Sequence, residues 1–293
     1  ESIGLAVASE TPVTILNVMR GGPSTGIPTK SEQSDLDIAL HGLHGDAPHL
    51  VLAPLDIADC VFTVGWAVQL AQHLQTAAVV LSDQYIGQSV ALVSEPRRAP
   101  PLSTEIPALE PGEKYLRYQD NPSGVTPLAR PGDKDRRFTA DGLEHNQAGT
   151  PSAGDSDHQQ QLEKRHRKLA GFDYGQDWGR VSGSGALALV SFGSSSAAVS
   201  EAAELLSDKG VDARVVSLRL LAPLQCGALL DAVQACEKIV VVEQNHSKQL
   251  YHYLRGQVDF PGPVHSYAVA GPVPLSARNI AQFILQEATK GDV

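Results

Sequence analysis

The sequence predicts an α/β protein built on two open, mainly parallel sheets. Apolar strand-like runs alternate with helical patterns over residues 1–94 and again over residues 186–293, and Pro, Gly and charged residues dominate between them. Alternating strands and helices favour βαβ units, whose loops gather at one edge of a parallel sheet. We therefore expect an α/β domain over residues 1–94, an extended arm or linker over 95–180 and a second α/β domain over 181–293.

The first predicted domain contains three strands and two helices. Strands are expected over 13–18, 49–53 and 78–82, with helices from the start to residue 9 and over 57–74. Asp56 is the expected N-cap of the second helix, and apolar residues at 57, 61, 64, 68 and 71 recur at helical spacing. Because the chain begins inside a helical pattern without a basic leader, we expect it to lack an N-terminal part of the domain.

The middle segment, residues 95–180, has little periodicity but many aromatic residues. A charged run over 159–169 predicts a short exposed helix with a solvated charged face. A free tether would favour Gly, Ser and charge, so we expect an arm that buries its aromatic side chains on its neighbours. These are Tyr115, Tyr118, Phe138, Phe172, Tyr174 and Trp178.

The last predicted domain contains four βα units. Its strands are expected over 186–192, 213–218, 239–243 and 264–268. Its helices are expected over 197–208, 227–235, 247–255 and 277–288. Four such units in little more than a hundred residues predict one small open sheet with helices on its faces.

Composition excludes several classes of function. A net charge of -10 gives no basic surface for nucleic acid, and no apolar run reaches the roughly 20 residues of a membrane span. The three cysteines, Cys60, Cys226 and Cys236, form no CxxC pair, so neither a disulfide framework nor an iron–sulfur or zinc site is indicated. We expect a cytoplasmic protein that binds neither nucleic acid nor membrane.

The loop after the first strand is the strongest candidate for a ligand site. Residues 20–30, RGGPSTGIPTK, combine one guanidinium with backbone amides and three hydroxyl groups. Ligands collect at the carboxyl ends of strands in open α/β sheets, and Arg can hold a carboxylate through two parallel hydrogen bonds. These features favour an anionic oxygen ligand, and a structural Gly/Pro loop capped by Arg20 explains the same composition.

Longer motifs resemble the α subunit of 2-oxoacid:ferredoxin oxidoreductases. They are RGGPSTGIPTKSEQSDL at 20–36, HGLHGD at 41–46 and VLSDQY at 80–85. The segments YLRY at 115–118, TADGLEHN at 139–146 and EKR at 163–165 resemble the 2-oxoglutarate members. VSFGSS at 190–195 and VVEQN at 241–245 are similar to the family's transketolase-C-like domain and are weaker signals.

The resemblance implies a partial pyrimidine-type domain of a thiamine enzyme, an arm and a transketolase-C-like domain. It implies that Arg20 contacts the carboxylate of the 2-oxoacid and that Thr29 lies on the same side of the pocket. Ser24 and Thr25 belong to the same predicted substrate-binding loop. Lys30, His41 and His44 are candidate supporting residues, and no residue of this chain is assigned as catalytic.

The resemblance also implies that the active site is composite. Thiamine diphosphate, Mg²⁺ and a [4Fe-4S] cluster are expected to be held mainly by a β subunit and by the N-terminal part of the α subunit. Coenzyme A is the expected co-substrate and ferredoxin the expected electron acceptor. The alternatives are a pyruvate or branched-chain 2-oxoacid enzyme, and, in another class, a non-catalytic scaffold subunit, which a buried and paired Arg20 would favour.

Three shorter patterns leave their roles open. His41 and His44, with Asp46 nearby, are read as a structural hydrogen-bonded pair, a support for the substrate or part of a metal site, although a third ligand is not apparent. The run 193–196 either binds an anion at a helix N-terminus or caps that helix. The run 82–84 either faces the site or caps the following turn.

Overall fold

A computed structural model describes residues 1–102 and 114–290 of the chain. Its helices and strands follow the predicted alternation. Residues 103–113 of the predicted arm lie outside the described residues. In chain order the elements are α1 (Ser2–Ala8), β1 (Val13–Met19), α2 (Leu36–His41), β2 (Leu50–Leu52), α3 (Asp59–Leu74), β3 (Ala77–Asp83), α4 (Gln84–Gln88), α5 (Asp155–Ala170), β4 (Gly179–Gly183), β5 (Leu187–Phe192), α6 (Ser195–Ser207), β6 (Ala213–Leu218), β7 (Leu220–Ala222), α7 (Cys226–Val233), β8 (Lys238–Glu243), α8 (Gln249–Gln257), β9 (Val264–Ala268) and α9 (Ala277–Lys290).

The first sheet has the strand order β1-β3-β2-β7. β1, β3 and β2 are parallel, and β7 pairs antiparallel with β2. All seven residues of β3 are buried, as expected for a strand that is covered on both faces. The carboxyl ends of β1 and β3 therefore lie side by side, with Met19 opposite Asp83.

The second sheet has the strand order β4-β6-β5-β8-β9. Its strands are parallel except β4, which pairs antiparallel with β6. Helices α6 and α9 cover one face through a cluster that includes Val199, Leu206 and Ile280. Together with the first sheet, this arrangement confirms the predicted α/β fold class.

A one-residue link joins the two sheets. β6 ends at Leu218 in the second sheet, and β7 begins at Leu220 in the first. Between them, Arg219 holds the carboxylate of Asp59 through two hydrogen bonds of 3.0 and 2.7 Å. One apolar cluster runs through both sheets and includes Leu52, Val80, Val190 and Val216. Because the sheets share this core, their strand ends hold a defined relative position.

Four short elements escape the sequence pattern, and the predicted N-cap of α3 is wrong, because the observed N-cap is Ala58. α2, α4, β4 and β7 span three to six residues each, which is too short to show periodicity. α3 begins at Asp59, while Asp56 accepts a hydrogen bond from the Asp59 amide at 2.8 Å in the turn before it. The apolar residues whose helical spacing predicts α3 do not all face the core, because Val61, Val64 and Val68 are 44%, 37% and 49% exposed.

The middle segment differs most from its prediction. The charged run lies in a 16-residue helix, α5, and its charged face is buried instead of solvated. Lys164 and Lys168 both bind Glu10, with nitrogen–oxygen distances of 2.5 and 3.2 Å. The spacing of the charges predicts a helix, but it does not distinguish water from an internal carboxylate as their partner. Of the six aromatic side chains expected to need burial, Tyr118, Tyr174 and Trp178 are buried.

Candidate functional site

The loop after β1 is closed by its own backbone. The Gly21 amide donates to the Lys30 carbonyl at 3.1 Å, and the Ile27 amide donates to the Gly21 carbonyl at 2.9 Å. Gly26 has a φ of 58°, and a Cβ at that position would collide with the Gly21 carbonyl. Only glycine fits there. The loop is therefore a compact turn at the carboxyl end of β1, where ligands collect in α/β sheets.

A cleft of about 400 Å³ opens beside this loop. Two of the predicted site residues, Arg20 and Ser24, line it. Arg20 is exposed, and its guanidinium makes no ion pair with any residue in 1–102 or 114–290. Its backbone carbonyl accepts a hydrogen bond of 3.4 Å from the Ser34 hydroxyl. The cleft therefore presents one unpaired cation beside hydroxyl groups, which suits an anionic oxygen ligand.

The other predicted residues do not line the cleft. Thr25, Thr29 and Lys30 are exposed residues of the same loop. His41 ends α2 and lies edge-to-face with Tyr253, with ring centroids 6.3 Å apart. His44 is exposed, and among the described residues no hydrogen bond joins it to His41, so the alternative of a hydrogen-bonded pair is not observed.

Two carboxylates share the cleft with Arg20. Asp35 accepts a hydrogen bond of 3.1 Å from the side-chain amide of Asn17 on β1. Glu32 is 8% exposed, and its carboxylate has no hydrogen-bond or ion-pair partner among the described residues. An anionic ligand held by Arg20 would therefore meet two negative charges in the same cleft. The sequence offers no signal for this, because acidic residues that follow a loop are usually solvated.

Segment 31–37, which follows the loop, is fastened to the second sheet. The Gln33 side chain donates to the Phe192 carbonyl at 2.7 Å and accepts from the Gln244 amide at 3.0 Å. The Gln33 amide donates to the Gln244 carbonyl at 2.7 Å. Asn245 and Gln249 add hydrogen bonds to the carbonyls of Gln33 and Ser34. Sequence patterns missed these contacts because VVEQN resembles an ordinary strand end.

The side chain behind this fastening is Glu243, the last residue of β8. Its carboxylate accepts hydrogen bonds from the amides of Leu250 and Tyr251 at 2.8 and 3.0 Å and from the Asn245 side chain at 2.6 Å. Burial raises the pKa of Glu243 above its usual range, although these hydrogen bonds oppose the rise. Glu243 thus anchors the start of α8 and the turn that carries Gln244 and Asn245.

The remaining short motifs act locally. Asp83 caps α4 by accepting from the Ile86 amide at 2.9 Å, so the run 82–84 has its capping role. Ser195 at the start of α6 donates to the Phe192 carbonyl at 2.7 Å. Within residues 1–102 and 114–290, His, Cys, Asp and Glu side chains form no group of three that could hold a metal ion. Burial and nearby aspartates raise the pKa of Cys60 to about 11, which disfavours a thiolate nucleophile.

No helix in the described part of the chain is both long and apolar enough to cross a bilayer. The described residues form two α/β sheets, and the candidate ligand site lies at the carboxyl end of the parallel strand β1.

Comparison with known families assigns both parts of the chain. Residues 1–164 match the family "Pyruvate flavodoxin/ferredoxin oxidoreductase, thiamine diP-bdg". Residues 178–286 match the transketolase C-terminal domain. The chain therefore belongs to the 2-oxoacid:ferredoxin oxidoreductase α-subunit family, as its motifs predict.

Three relatives support this assignment. Subunit alpha of 2-oxoacid:ferredoxin oxidoreductase 2 from Aeropyrum pernix is 32% identical, and the match covers 93% of this chain and 45% of that protein. The 2-oxoglutarate synthase subunit KorA of Archaeoglobus fulgidus is 35% identical, over 84% of this chain and 64% of its own length. A solved structure of 2-oxoglutarate:ferredoxin oxidoreductase from Magnetococcus marinus, with 2-oxoglutarate, coenzyme A and succinyl-CoA bound, has a TM-score of 0.87 and 30% identity over 98% of this chain and 50% of that chain. The chain thus spans between 45% and 64% of the length of these three relatives.

Proposed function

We propose that this chain is the substrate-binding portion of a thiamine-diphosphate-dependent 2-oxoacid oxidoreductase of the 2-oxoglutarate type. In this proposal the assembled enzyme decarboxylates the 2-oxoacid, transfers the acyl group to coenzyme A and passes electrons to ferredoxin. The names of the Archaeoglobus and Magnetococcus relatives favour 2-oxoglutarate over pyruvate or a branched-chain 2-oxoacid. The chain acts only together with partner subunits and the remaining part of its own subunit.

The unpaired guanidinium of Arg20 is the observation that carries this proposal. A scaffold role predicts Arg20 buried against an internal carboxylate, but the side chain is exposed in the cleft and unpaired within the described residues. Leaving a cation at a strand end without a partner gains no stability for the fold. It prepares a position for an anion, and Arg matches a carboxylate because both groups are planar and form two parallel hydrogen bonds.

Each residue of the loop then has a defined role. Arg20 binds the C1 carboxylate of the 2-oxoacid, and the Ser24 hydroxyl donates a further hydrogen bond from the same cleft. Thr25, Thr29 and Lys30 are exposed on the outer part of the loop, and in this proposal the two threonines add hydrogen bonds to the substrate once the partner subunit closes the site. Thiamine diphosphate, when bound, supplies the nucleophilic carbon and the electron sink that decarboxylation requires. The protein holds the substrate so that its 2-oxo carbon lies in attack geometry.

The donor set of the cleft determines which groups this chain can hold. A guanidinium and hydroxyl groups fit a carboxylate. Mg²⁺ needs several oxygen ligands around one point, and although Glu32 and Asp35 also line the cleft, no group of three His, Cys, Asp or Glu side chains among the described residues could hold a metal ion. We therefore assign Mg²⁺, the diphosphate and the [4Fe-4S] cluster to the β subunit and to the N-terminal part of the α subunit. His41 and His44 keep only a supporting role in this proposal.

The assembled enzyme and the chain alone should differ in activity. With its partner subunits, the protein is expected to reduce a viologen dye when 2-oxoglutarate and coenzyme A are added. The 293-residue chain alone should neither reduce the dye nor bind thiamine diphosphate tightly, because it supplies only the carboxylate contact. Dye reduction measured at 2-oxoglutarate, pyruvate and a branched-chain 2-oxoacid reports the preferred substrate. Turnover by the chain alone would contradict a composite site.

Replacing Glu32 by glutamine is expected to improve substrate binding. Glu32 shares the cleft with Arg20 and carries a charge of the same sign as the substrate carboxylate. Removing that repulsion, about 0.5 to 1 kcal/mol across a partly solvated cleft, should lower KM for the 2-oxoacid roughly two- to fivefold. The control is Asp37→Asn, which removes a negative charge from an exposed position of α2 outside the cleft lining. A raised KM or a large fall in kcat would show that Glu32 itself serves the reaction.

A further inference from the structure

The contacts between segment 31–37 and the second sheet form a tie that ends at the Arg20 cleft. Gln33 exchanges three hydrogen bonds with the backbones of Gln244 and Phe192, of 2.7, 3.0 and 2.7 Å. The Gln244 side chain donates to the Ser31 carbonyl at 3.2 Å. Both glutamines are almost fully buried, with exposures of 0% and 3%. Such a set of buried amide contacts fixes both partners in one arrangement, because any shift would leave polar groups without partners.

The same segment touches the candidate site from the other side. Glu32, Ser34 and Asp35 line the cleft, and the Ser34 hydroxyl donates to the Arg20 carbonyl. Asp35 is held to β1 through Asn17. Residues adjacent to Gln33 on both sides therefore form the wall opposite the loop. The wall position is determined by the ends of β5 and β8, which belong to the second sheet.

We propose that Gln33 and Gln244 are positioning residues through which the second domain sets the geometry of the Arg20 cleft. This inference rests on the proposed function, in which Arg20 binds the substrate carboxylate. Neither glutamine touches the substrate. They act by holding the cleft wall, and through it the Arg20 backbone, where the guanidinium meets both carboxylate oxygens. The transketolase-C-like domain is then part of the binding machinery and not only a structural appendage.

The packing around Gln33 leaves little freedom for another arrangement. A Cβ added to Gly193 would lie 2.8 Å from the Gln33 side-chain nitrogen. Gly193 has a φ of 60°, so a side chain there would also be strained. The backbone at the end of β5 thus approaches the Gln33 amide group as closely as glycine permits. This close approach favours a fixed tie over a sliding contact.

A double-mutant cycle in the assembled enzyme tests the inference. Gln33→Met keeps the length of the side chain but removes both of its hydrogen bonds. We expect kcat/KM for the 2-oxoacid to fall about tenfold, while KM for coenzyme A stays unchanged. In an Arg20→Lys background the same substitution should cost less than about threefold, because Gln33 acts through Arg20. Equal losses in both backgrounds would overturn the inference.

A matched control separates positioning from general loss of stability. Gln69 of α3 also links two backbone groups, donating to the Ala99 carbonyl at 3.3 Å and accepting from the Leu102 amide at 2.8 Å, away from the cleft. Gln69→Met should lower thermal stability about as much as Gln33→Met does, but it should leave kcat/KM nearly unchanged. The same loss of kcat/KM as in Gln33→Met would overturn the inference. If Gln33→Met fails to assemble, Gln244→Met takes its place in the cycle, because its backbone contacts to Gln33 remain.

Hydrogen exchange distinguishes failure of this inference from failure of the proposed function. If Arg20→Lys alone keeps wild-type kcat/KM, the proposed function is wrong, whatever Gln33 does. The hydrogen-exchange rates of the Gly21 and Ile27 amides then test directly whether Gln33 holds the Arg20 loop, since the hydrogen bonds of both amides close that loop. Faster exchange in Gln33→Met than in Gln69→Met supports the positioning role. Equal exchange in the two variants overturns it.

Discussion

Replacing Arg20 by lysine is expected to lower kcat/KM for the 2-oxoacid about 30- to 1,000-fold in the assembled enzyme. The planar guanidinium can hold both oxygens of the C1 carboxylate, whereas lysine offers one point charge. Losing this paired geometry in a site that substrate and partner subunit shield from water should cost about 2 to 4 kcal/mol. Steady-state kinetics with several 2-oxoacids measures it, and every substrate should show the loss, because all share the carboxylate.

The fold and cofactor content of the Arg20→Lys enzyme should remain normal. Arg20 is exposed and makes no ion pair within the described residues, so its replacement removes no internal contact of the side chain. Arg97→Lys is the matched control, since Arg97 is an exposed arginine paired with Asp177 at 2.7 Å outside this cleft. Its kcat/KM should stay near wild type. Failure of the Arg20 variant to assemble, or unchanged kinetics, would make Arg20 a structural loop residue.

The parallel strands were predictable because the local sequence indicates both their burial and their approximate boundaries. β3 and β8 are continuous apolar runs, and a strand buried on both faces shows that pattern. β7 was not predictable, because its three residues leave the second sheet, which contains β6, and pair with β2 in the first sheet. The valine spacing in α3 predicts the helix but not which residues of the helix are buried. Its valines repeat at helical spacing, but the bulkier Phe62 and Trp66 occupy the core instead.

The candidate site was predictable only in part. Arg20 and its loop stand out because Gly, Pro and hydroxyl residues surround one cation after an apolar strand. The wall of the cleft did not stand out, because Gln33 and Gln244 lie 211 positions apart in sequence. Local patterns predict that a glutamine near a strand end is solvated. Contacts between the two domains bury both glutamines, and no residue close to Gln33 in the sequence indicates this burial.

The buried cluster around Glu10 is the largest departure from the predicted solvated helix. The Glu10 carboxylate lies 2.5 Å from Lys164, 3.2 Å from Lys168 and 3.9 Å from Arg117, and all four side chains are essentially inaccessible to solvent. Arg117 also donates to the Gln75 side chain and to the Glu10 carbonyl. The cluster joins the turn after α1 to α5 and to the part of the arm that contains Arg117. Three cations thus depend on one carboxylate.

Burial alone would raise the pKa of Glu10, but the positive charges of Lys168, Lys164 and Arg117 outweigh it and lower the pKa to about 2. Burial lowers the pKa of Lys168 to about 7, against the opposing charge of Glu10. The two residues therefore differ in what they contribute. Ionised Glu10 is strongly favoured in the folded state, whereas the charge on Lys168 is disfavoured there relative to water.

Glu10→Gln is expected to destabilise the protein by about 3 to 5 kcal/mol, because three buried cations lose their only counter-charge. This corresponds to a Tm roughly 10 °C lower in thermal unfolding. Lys168→Met should change stability by less than about 1.5 kcal/mol, since it removes a charge that burial already penalises and leaves Glu10 with Lys164 and Arg117. Equal losses of unfolding free energy in the two variants would show that the side-chain contacts, and not the balance of buried charges, determine the stability of the cluster.

The pH dependence of stability should separate these two contributions. The folded pKa of Glu10, about 2, lies below the unfolded value of about 4.3, so its stabilisation is present above pH 4.3 and is lost as pH falls towards 2. The folded pKa of Lys168, about 7, lies below the unfolded value of about 10.4, so the unfolded state binds more protons between these values. Stability therefore gains a rising contribution from pH 7 to 9. Thermal unfolding at a series of pH values should show that the stability of the wild type rises between pH 7 and 9. The rise should be smaller in Lys168→Met. An equal rise in the two proteins would show that Lys168 stays charged in the folded state.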